Sequence, residues 1–310
     1  MPKMNITQSI YIDARPEKIY PFISNLNHWP TWSPWTVAEP SAKITVTKAG
    51  DHYTWEGKII GEGHLTVVEQ EENKSVVLDL VFLKPWKSTA KTSMILTPLE
   101  KGTKVTWNMD SRLPFFLFWM KKQMQHFIGM DYTRGLTMLK DLVETGNTNT
   151  TLAFLGEVPF EATPYIGIAT DGAFSEISNT MERDYTALMQ YIMQLPEEQR
   201  QRPAVAIYTK MDVLRDRCAY IAAHPVREIP DDLPEQFITG ELPSFTAYTL
   251  RHTGPYRHIG NAWAAGMMHQ RNKKFKSHKK IHPMEVMHNS PKNTPENKLV
   301  SDILFPVQTP

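Results

Sequence analysis

A single cysteine, Cys218, stands in 310 residues. The chain therefore cannot close a disulfide on itself, and a reducing compartment is expected. Neither sign of charge dominates: 34 lysines and arginines face 33 aspartates and glutamates. Overall electrostatics thus give no reason to expect nucleic acid or a membrane surface as partner. No apolar run approaches the length a bilayer requires; the longest, residues 113–120, is broken at Pro114. The first residues lack a basic-then-apolar leader pattern, so a soluble, cytoplasmic protein is expected. Metal spacing is missing too. His252, His258, His278, His282 and His288 are numerous, but they lack the arrangement of a His pair four apart with a carboxylate on a helix. Phosphate loops, nucleophile elbows and dinucleotide fingerprints are absent. No metal and no cofactor is expected.

What is present falls into two halves, the natural prior at this length. Residues 4–13 alternate as an opening strand, Asp13 is placed to cap a helix over residues 15–24, and Pro16 suits its first turn. Trp29-Pro30-Thr31-Trp32-Ser33-Pro34-Trp35 can be neither a long helix nor a central strand, and predicts a short aromatic corner. From residue 42 to 110 strands alternate with turns at Ala49-Gly50-Asp51, Glu71-Glu72-Asn73 and Glu100-Lys101-Gly102. Met120, Met124, Ile128, Tyr132, Leu136, Leu139 and Val143 then recur at helical spacing.

Strand, short helices, meander and long helix in that order describe a helix-grip fold. The stretch resembles the START-like superfamily (SRPBCC, polyketide cyclase-like). The matching residues are Trp32-Ser33-Pro34-Trp35, Trp55-x-Gly57, Gly61-x-Gly63, Gly102-Thr103-x-Val105-x-Trp107 and Gly135-Leu136-x-x-Leu139-Lys140. The resemblance implies a sheet curled around the last helix and an apolar cavity, with Trp55, Trp107, Met124 and Ile128 as its expected walls. No pair of titratable residues in this half suggests catalysis. His64 and His126 read as structural or solvent-facing.

The polar, turn-prone run Thr145-Gly146-Asn147-Thr148-Asn149-Thr150-Thr151 reads as a linker. The expected division is 1–145, a linker at 146–152, and 153–310. In the last part a programme of strand, helix, strand and strand runs twice, giving an α+β chain overall. Pro203 corresponds to Pro283, and His224-Pro225-Val226 to Phe305-Pro306-Val307. Two small sheets about a pseudo-twofold axis are expected, with a groove at their junction.

Within the second repeat, Glu285 and Met287 share one strand face. A carboxylate beside Met is ordinary on a wet face and odd on a covered one. Counted from the prolines, Glu285 aligns with Val205, which shares its face with Ile207. This makes the face covered in both repeats and Glu285 a lone acid in an apolar groove. Sixteen Met and eight Trp suit binding of loose specificity, although core filling is the ordinary role of both.

The region resembles the GyrI-like effector-binding domain, the drug-sensing domain of multidrug-responsive transcription activators. The matching residues are Gly254-Pro255-Tyr256, Gly260-Asn261-Ala262-Trp263, Pro283-x-Glu285, Asn289-x-Pro291, and Asp302-Ile303 before Phe305-Pro306-Val307. The resemblance implies a groove for amphipathic, often cationic, molecules with Glu285 as its acid. Tyr165, Tyr208, Tyr256, Trp263 and Met287 are the expected companions. Such domains often carry an aromatic residue where Met287 or Leu304 stands, so a wider and more apolar groove is expected here. The helix-turn-helix of those activators is missing from the sequence, so the expectation is a small-molecule binding or sensing protein without its own DNA-binding domain.

The rival reading is a hydrolase of electrophilic small molecules, with Glu285 activating water and Tyr208 or Tyr256 donating a proton. A third concerns Arg271-Asn272-Lys273-Lys274-Phe275-Lys276-Ser277-His278-Lys279-Lys280. A solvated loop is the ordinary meaning of such a run, and docking to an acidic protein partner is the alternative. No aromatic platform or recognition helix accompanies it as nucleic-acid binding would require.

Overall fold

The structure, a computed structural model, describes residues 3–112, 115–201 and 203–308. Side chains 115–117 are not described. Leu113 and Pro114 of the longest apolar run therefore lie outside the described residues, as does Arg202 at the start of an expected strand. No helix among the described residues is long and apolar enough to cross a membrane. The chain divides into two compact units, Met1–Thr150 and Thr151–Pro310.

In the first unit, β1 (Lys3–Ile12) leads to helices α1 (Pro16–Ser24), α2 (Trp29–Trp32) and α3 (Pro34–Ala38). An antiparallel meander follows: β2 (Lys43–Val46), β3 (His52–Glu56), β4 (Glu62–Glu71), β5 (Ser75–Lys84), β6 (Ser88–Pro98) and β7 (Thr103–Arg112). Helix α4 (Lys121–Thr145) closes the unit. The sheet order is β1-β7-β6-β5-β4-β3-β2, so the first strand seals the far edge of the meander. The cap of α1 differs from expectation. Arg15 holds the N-cap position without a side-chain bond, while the Asp13 amide donates to Glu144 on α4 at 2.7 Å. Asp13 is thus tied to the long helix. The tryptophan corner forms the two short helices α2 and α3, each with a proline in its first turn. Glu39 then accepts the amides of Lys58, Ile59 and Ile60 at 2.8, 2.8 and 2.9 Å. This fixes the corner against the β3–β4 connection.

The second unit comprises β8 (Thr151–Phe160), β9 (Thr163–Gly172), α5 (Ile177–Ile192), β10 (Ala204–Asp212) and β11 (Arg217–Pro225), then β12 (Ile238–Leu242), β13 (Phe245–Thr253), α6 (Gly260–Arg271), β14 (Met284–Met287) and β15 (Val300–Pro306). The repeated programme is present, but two small sheets are not. One eight-stranded antiparallel sheet runs β12-β9-β11-β10-β14-β15-β13-β8. The repeats meet where β10 pairs with β14, so main-chain hydrogen bonds cross the junction. The outermost strands are exchanged. β8 opens the first repeat and pairs with β13 of the second; β12 opens the second and pairs with β9 of the first.

Register corrects the alignment of Glu285 with Val205. Ala206 lies opposite Glu285, and Val205 lies opposite Val286. Opposed residues share a face, so Val205 and Ile207 are on the side of the sheet away from Glu285. That other side is an apolar cluster of Tyr165, Val205, Ile207, Met284, Val286 and Leu304.

Candidate functional site

Glu285 lies on β14, in the middle of the eight strands, and is only 6% exposed. Alternation brings its neighbours to it. Tyr208 stands two residues beyond Ala206, the position opposite Glu285, and its hydroxyl donates to Glu285 Oε2 at 3.3 Å. On β15, Ile303 is opposite Glu285. Ser301 is two residues away on the same face; its buried hydroxyl makes no hydrogen bond among the described residues but favours the ionised form of the carboxylate. Met287 follows on the same face of β14 and is half-buried.

Helix α6 supplies the wall. Trp263 on this helix favours the ionised form of the carboxylate. Its ring stands edge-on to Tyr208, with centroids 4.8 Å apart. The turn into this helix needs Gly254, whose φ of 138° lies where residues bearing a Cβ are strained. Its amide is bonded to Leu299 O at 2.8 Å. Tyr256 follows in a short 3-10 turn, Tyr256–His258. Tyr185 of α5 completes the surround; its phenol and that of Tyr256 both feel the charge of Glu285.

The electrostatics follow from burial. Burial pushes the Glu285 carboxyl up to about 7, although Ser301, Tyr208 and Trp263 each favour the ionised form. None of these donors is cationic. Burial and the adjacent carboxylate hold Tyr256 up to about 12 and raise Tyr208 and Tyr185 well above the ordinary phenol range. Behind Ser301, opposite it on β13, lies His252. Its imidazole is pushed down to about 4 by burial and then by the charge of His258. The arrangement can hold one positive charge against aromatic faces, or keep one proton in its place.

Of the expected companions, Tyr208, Tyr256, Trp263 and Met287 gather about Glu285. Tyr165 does not, because it belongs to the apolar cluster on the opposite side of the sheet. Ser301 and Tyr185 went unread as site residues. Counting back by twos from Phe305 would have found Ser301. Tyr185 stands at helical spacing with Met181, Leu188 and Ile192, a pattern that reads as core.

In the first unit, Trp107 is 1% exposed. It stacks on Tyr132 at 3.8 Å, and the edges of Trp29, Trp32 and Trp35 close around it. Its Nε1 donates to Thr92 Oγ1 at 2.8 Å. Trp55 is buried in the same core, on which Met124 and Ile128 pack half-buried. A groove of about 1070 Å³ lies elsewhere, at the ends of β1, β5, β6 and β7. None of the four expected cavity residues is among those that line it. No group of three or more His, Cys, Asp or Glu suited to a metal ion occurs among the described residues.

Comparison with known proteins follows the same division. The family described as polyketide cyclase / dehydrase and lipid transport matches residues 3–144. The GyrI-like small molecule binding domain matches residues 157–308. No curated protein matches. Among solved structures, EcmrR in its complex with DNA is similar over 62% of this chain and 69% of that chain, with 15% identity and a TM-score of 0.44. SAV2435 bound to tetraphenylphosphonium is similar over 49% of this chain and 92% of that one, with 13% identity and a TM-score of 0.40. For the Aha1 dimer from Colwellia psychrerythraea the shares are 46% and 98%, with 23% identity and a TM-score of 0.35.

Proposed function

We propose, for a chain that joins a polyketide cyclase / dehydrase and lipid transport domain to a GyrI-like small molecule binding domain, that Glu285 and the aromatic residues around it bind an amphipathic molecule carrying one positive charge. The observation that carries this reading is a buried carboxylate whose neighbouring donors are all neutral. An ionised carboxylate in that setting is destabilised until a cation or a proton compensates it. Trp263, Tyr208, Tyr256 and Tyr185 offer ring faces to the apolar and charged parts of such a ligand. Tyr185, Tyr256 and Met287 are only partly buried and form the approach from solvent. The protein then senses or sequesters its ligand.

The hydrolytic alternative asks Tyr208 or Tyr256 to give up a proton. The Tyr208 hydroxyl is already engaged by Glu285, and both phenols are shifted away from acidity. Binding is the better supported reading.

A thermal-shift screen at pH 8 tests it, comparing aryl-substituted quaternary cations, neutral analogues of the same shape and fatty acids. Ligands of the native state raise the melting temperature by mass action. Cations are expected to stabilise the wild type and to lose that effect in Glu285→Gln. If neutral analogues stabilise both proteins as well as cations do, Glu285 is not the ligand's counter-charge.

A further inference from the structure

The connection from α6 to β14 carries more charge than the fold demands. Arg271, Lys273, Lys274, Lys276, Lys279 and Lys280 are all exposed. No acidic residue occurs in the sequence between Glu241 and Glu285. Among the described residues the five lysines make no ion pair, whereas Arg251 and Arg257 have Asp302 and Glu296.

The loop is also tied to the rest of the fold by packing and main-chain hydrogen bonds. Phe275 is buried in its centre, stacked on Tyr248 at 4.5 Å and set against Phe305 at 5.6 Å. The amides of Lys273 and Lys274 bond to the end of α6 at Gln270 O and His269 O. Gln308 N bonds to Lys276 O and His278 N to Pro306 O, at 2.8 and 2.7 Å. His278 Nδ1 accepts the amides of Lys280 and Ile281. Lys273 occupies the left-handed region, with φ 59°, a conformation that costs energy for a residue with a side chain. A loop that only keeps a surface wet needs none of this.

The duplication supplies an internal control. The equivalent connection, from α5 to β10, carries Glu197 and Glu198 beside Arg200 and Arg202 and so has no net charge. It is pinned by the Arg200–Val226 bridge, as the basic loop is pinned by the Ser277–Val307 bridge. The shared architecture therefore does not require a net positive connection, and the lysines belong to this copy alone.

We propose that residues 271–280 form a preorganised docking platform for an acidic protein segment. Fixed like charges repel one another, and a flexible polyanion relieves that repulsion without reshaping the loop. Carboxylates suit it better than other polyanions. The single aromatic ring is buried and offers no surface for stacking bases. No large apolar side chain of the loop is exposed to enter a bilayer.

The test uses the full chain and a fluorescent oligoglutamate of about ten residues, titrated at low and moderate salt. An oligothymidylate of similar length and vesicles containing phosphatidylserine run in parallel. One variant reverses the platform: Lys273→Glu, Lys274→Glu, Lys279→Glu and Lys280→Glu. A second has the same net charge but reverses exposed lysines elsewhere: Lys43→Glu, Lys48→Glu, Lys101→Glu and Lys104→Glu. Melting curves confirm that both fold. Oligoglutamate is expected to bind the wild type with affinity that falls as salt rises, to lose about tenfold or more on platform reversal, and to be little changed by the second variant. Absence of binding at low salt, or equal losses in both variants, overturns the proposal. Tighter binding of the oligothymidylate or the vesicles also overturns it and assigns the loop to that partner instead.

Discussion

At Glu285 the sign of the pH dependence follows from the direction of its shift. The folded carboxyl titrates near 7, against an ordinary 4.5. The folded state therefore holds a proton that the unfolded chain has already released between these values. Stability linked to this group is full below about 4.5 and is lost as pH rises through about 7. The gap corresponds to roughly 3 kcal/mol once the group is ionised in both states. Glu285→Gln should melt with the wild type at pH 4.5 and above it at pH 8.5. Melting curves across this range check the prediction, and coincident curves at both ends would remove the buried-acid account. The face shared by Glu285 and Met287 was legible from the two-residue period of a strand. The equivalence with Val205 was not, for a physical reason. The spacing from Pro203 to Pro283 is one residue shorter than that from Pro225 to Pro306. The sheet follows the longer spacing, and a slip of one residue turns every side chain to the opposite side. Tyr165 was lost for a related reason, since composition does not say which face of β9 meets which cluster.

Among the elements, α6 shows how a helix is brought close enough to matter. Ala262, Ala265 and Gly266 are buried. A Cβ on Gly266 would stand 2.1 Å from Phe305 Cε2. Phe305 in turn meets Trp263 edge-on at 5.5 Å, so the fit of α6 sets where the Trp263 indole lies. Gly266→Ala is expected to cost roughly 1–3 kcal/mol by overpacking. It should also weaken cation binding, because Trp263 is displaced from Glu285. Denaturant titration and a ligand titration on the same variant check both effects; an unchanged denaturation midpoint would show that Phe305 simply moves aside. Helices and strands of this kind were readable from their periods. The long helix α4 and the meander before it follow the predicted order. The role of small residues was less legible, because Gly266 means nothing until the strand it approaches is known.

At the scale of the molecule, sequence predicted the duplication of the second unit but not how the copies interlock. Each repeat's opening strand pairs in the other repeat, and no local pattern encodes such a long-range exchange. A cut in the exposed connection between β11 and β12 therefore leaves each fragment with an unpaired edge. Residues 151–230 and 231–310, produced together, should reassemble into a particle that melts cooperatively; either produced alone should aggregate. Size-exclusion chromatography of the three preparations decides this, and a soluble, folded single fragment would contradict the exchange.

The junction of β10 and β14 places Val205 opposite Val286, and rotation about that point carries Glu285 onto Ala204. Two identical chains assembled this way would bring two carboxylates to one apolar interior, where like charges oppose each other's ionisation. Covalent linkage frees the halves from being identical. One copy keeps the acid and the other an alanine, so the stoichiometry of charge is set by the gene: one carboxylate where a dimer would place two.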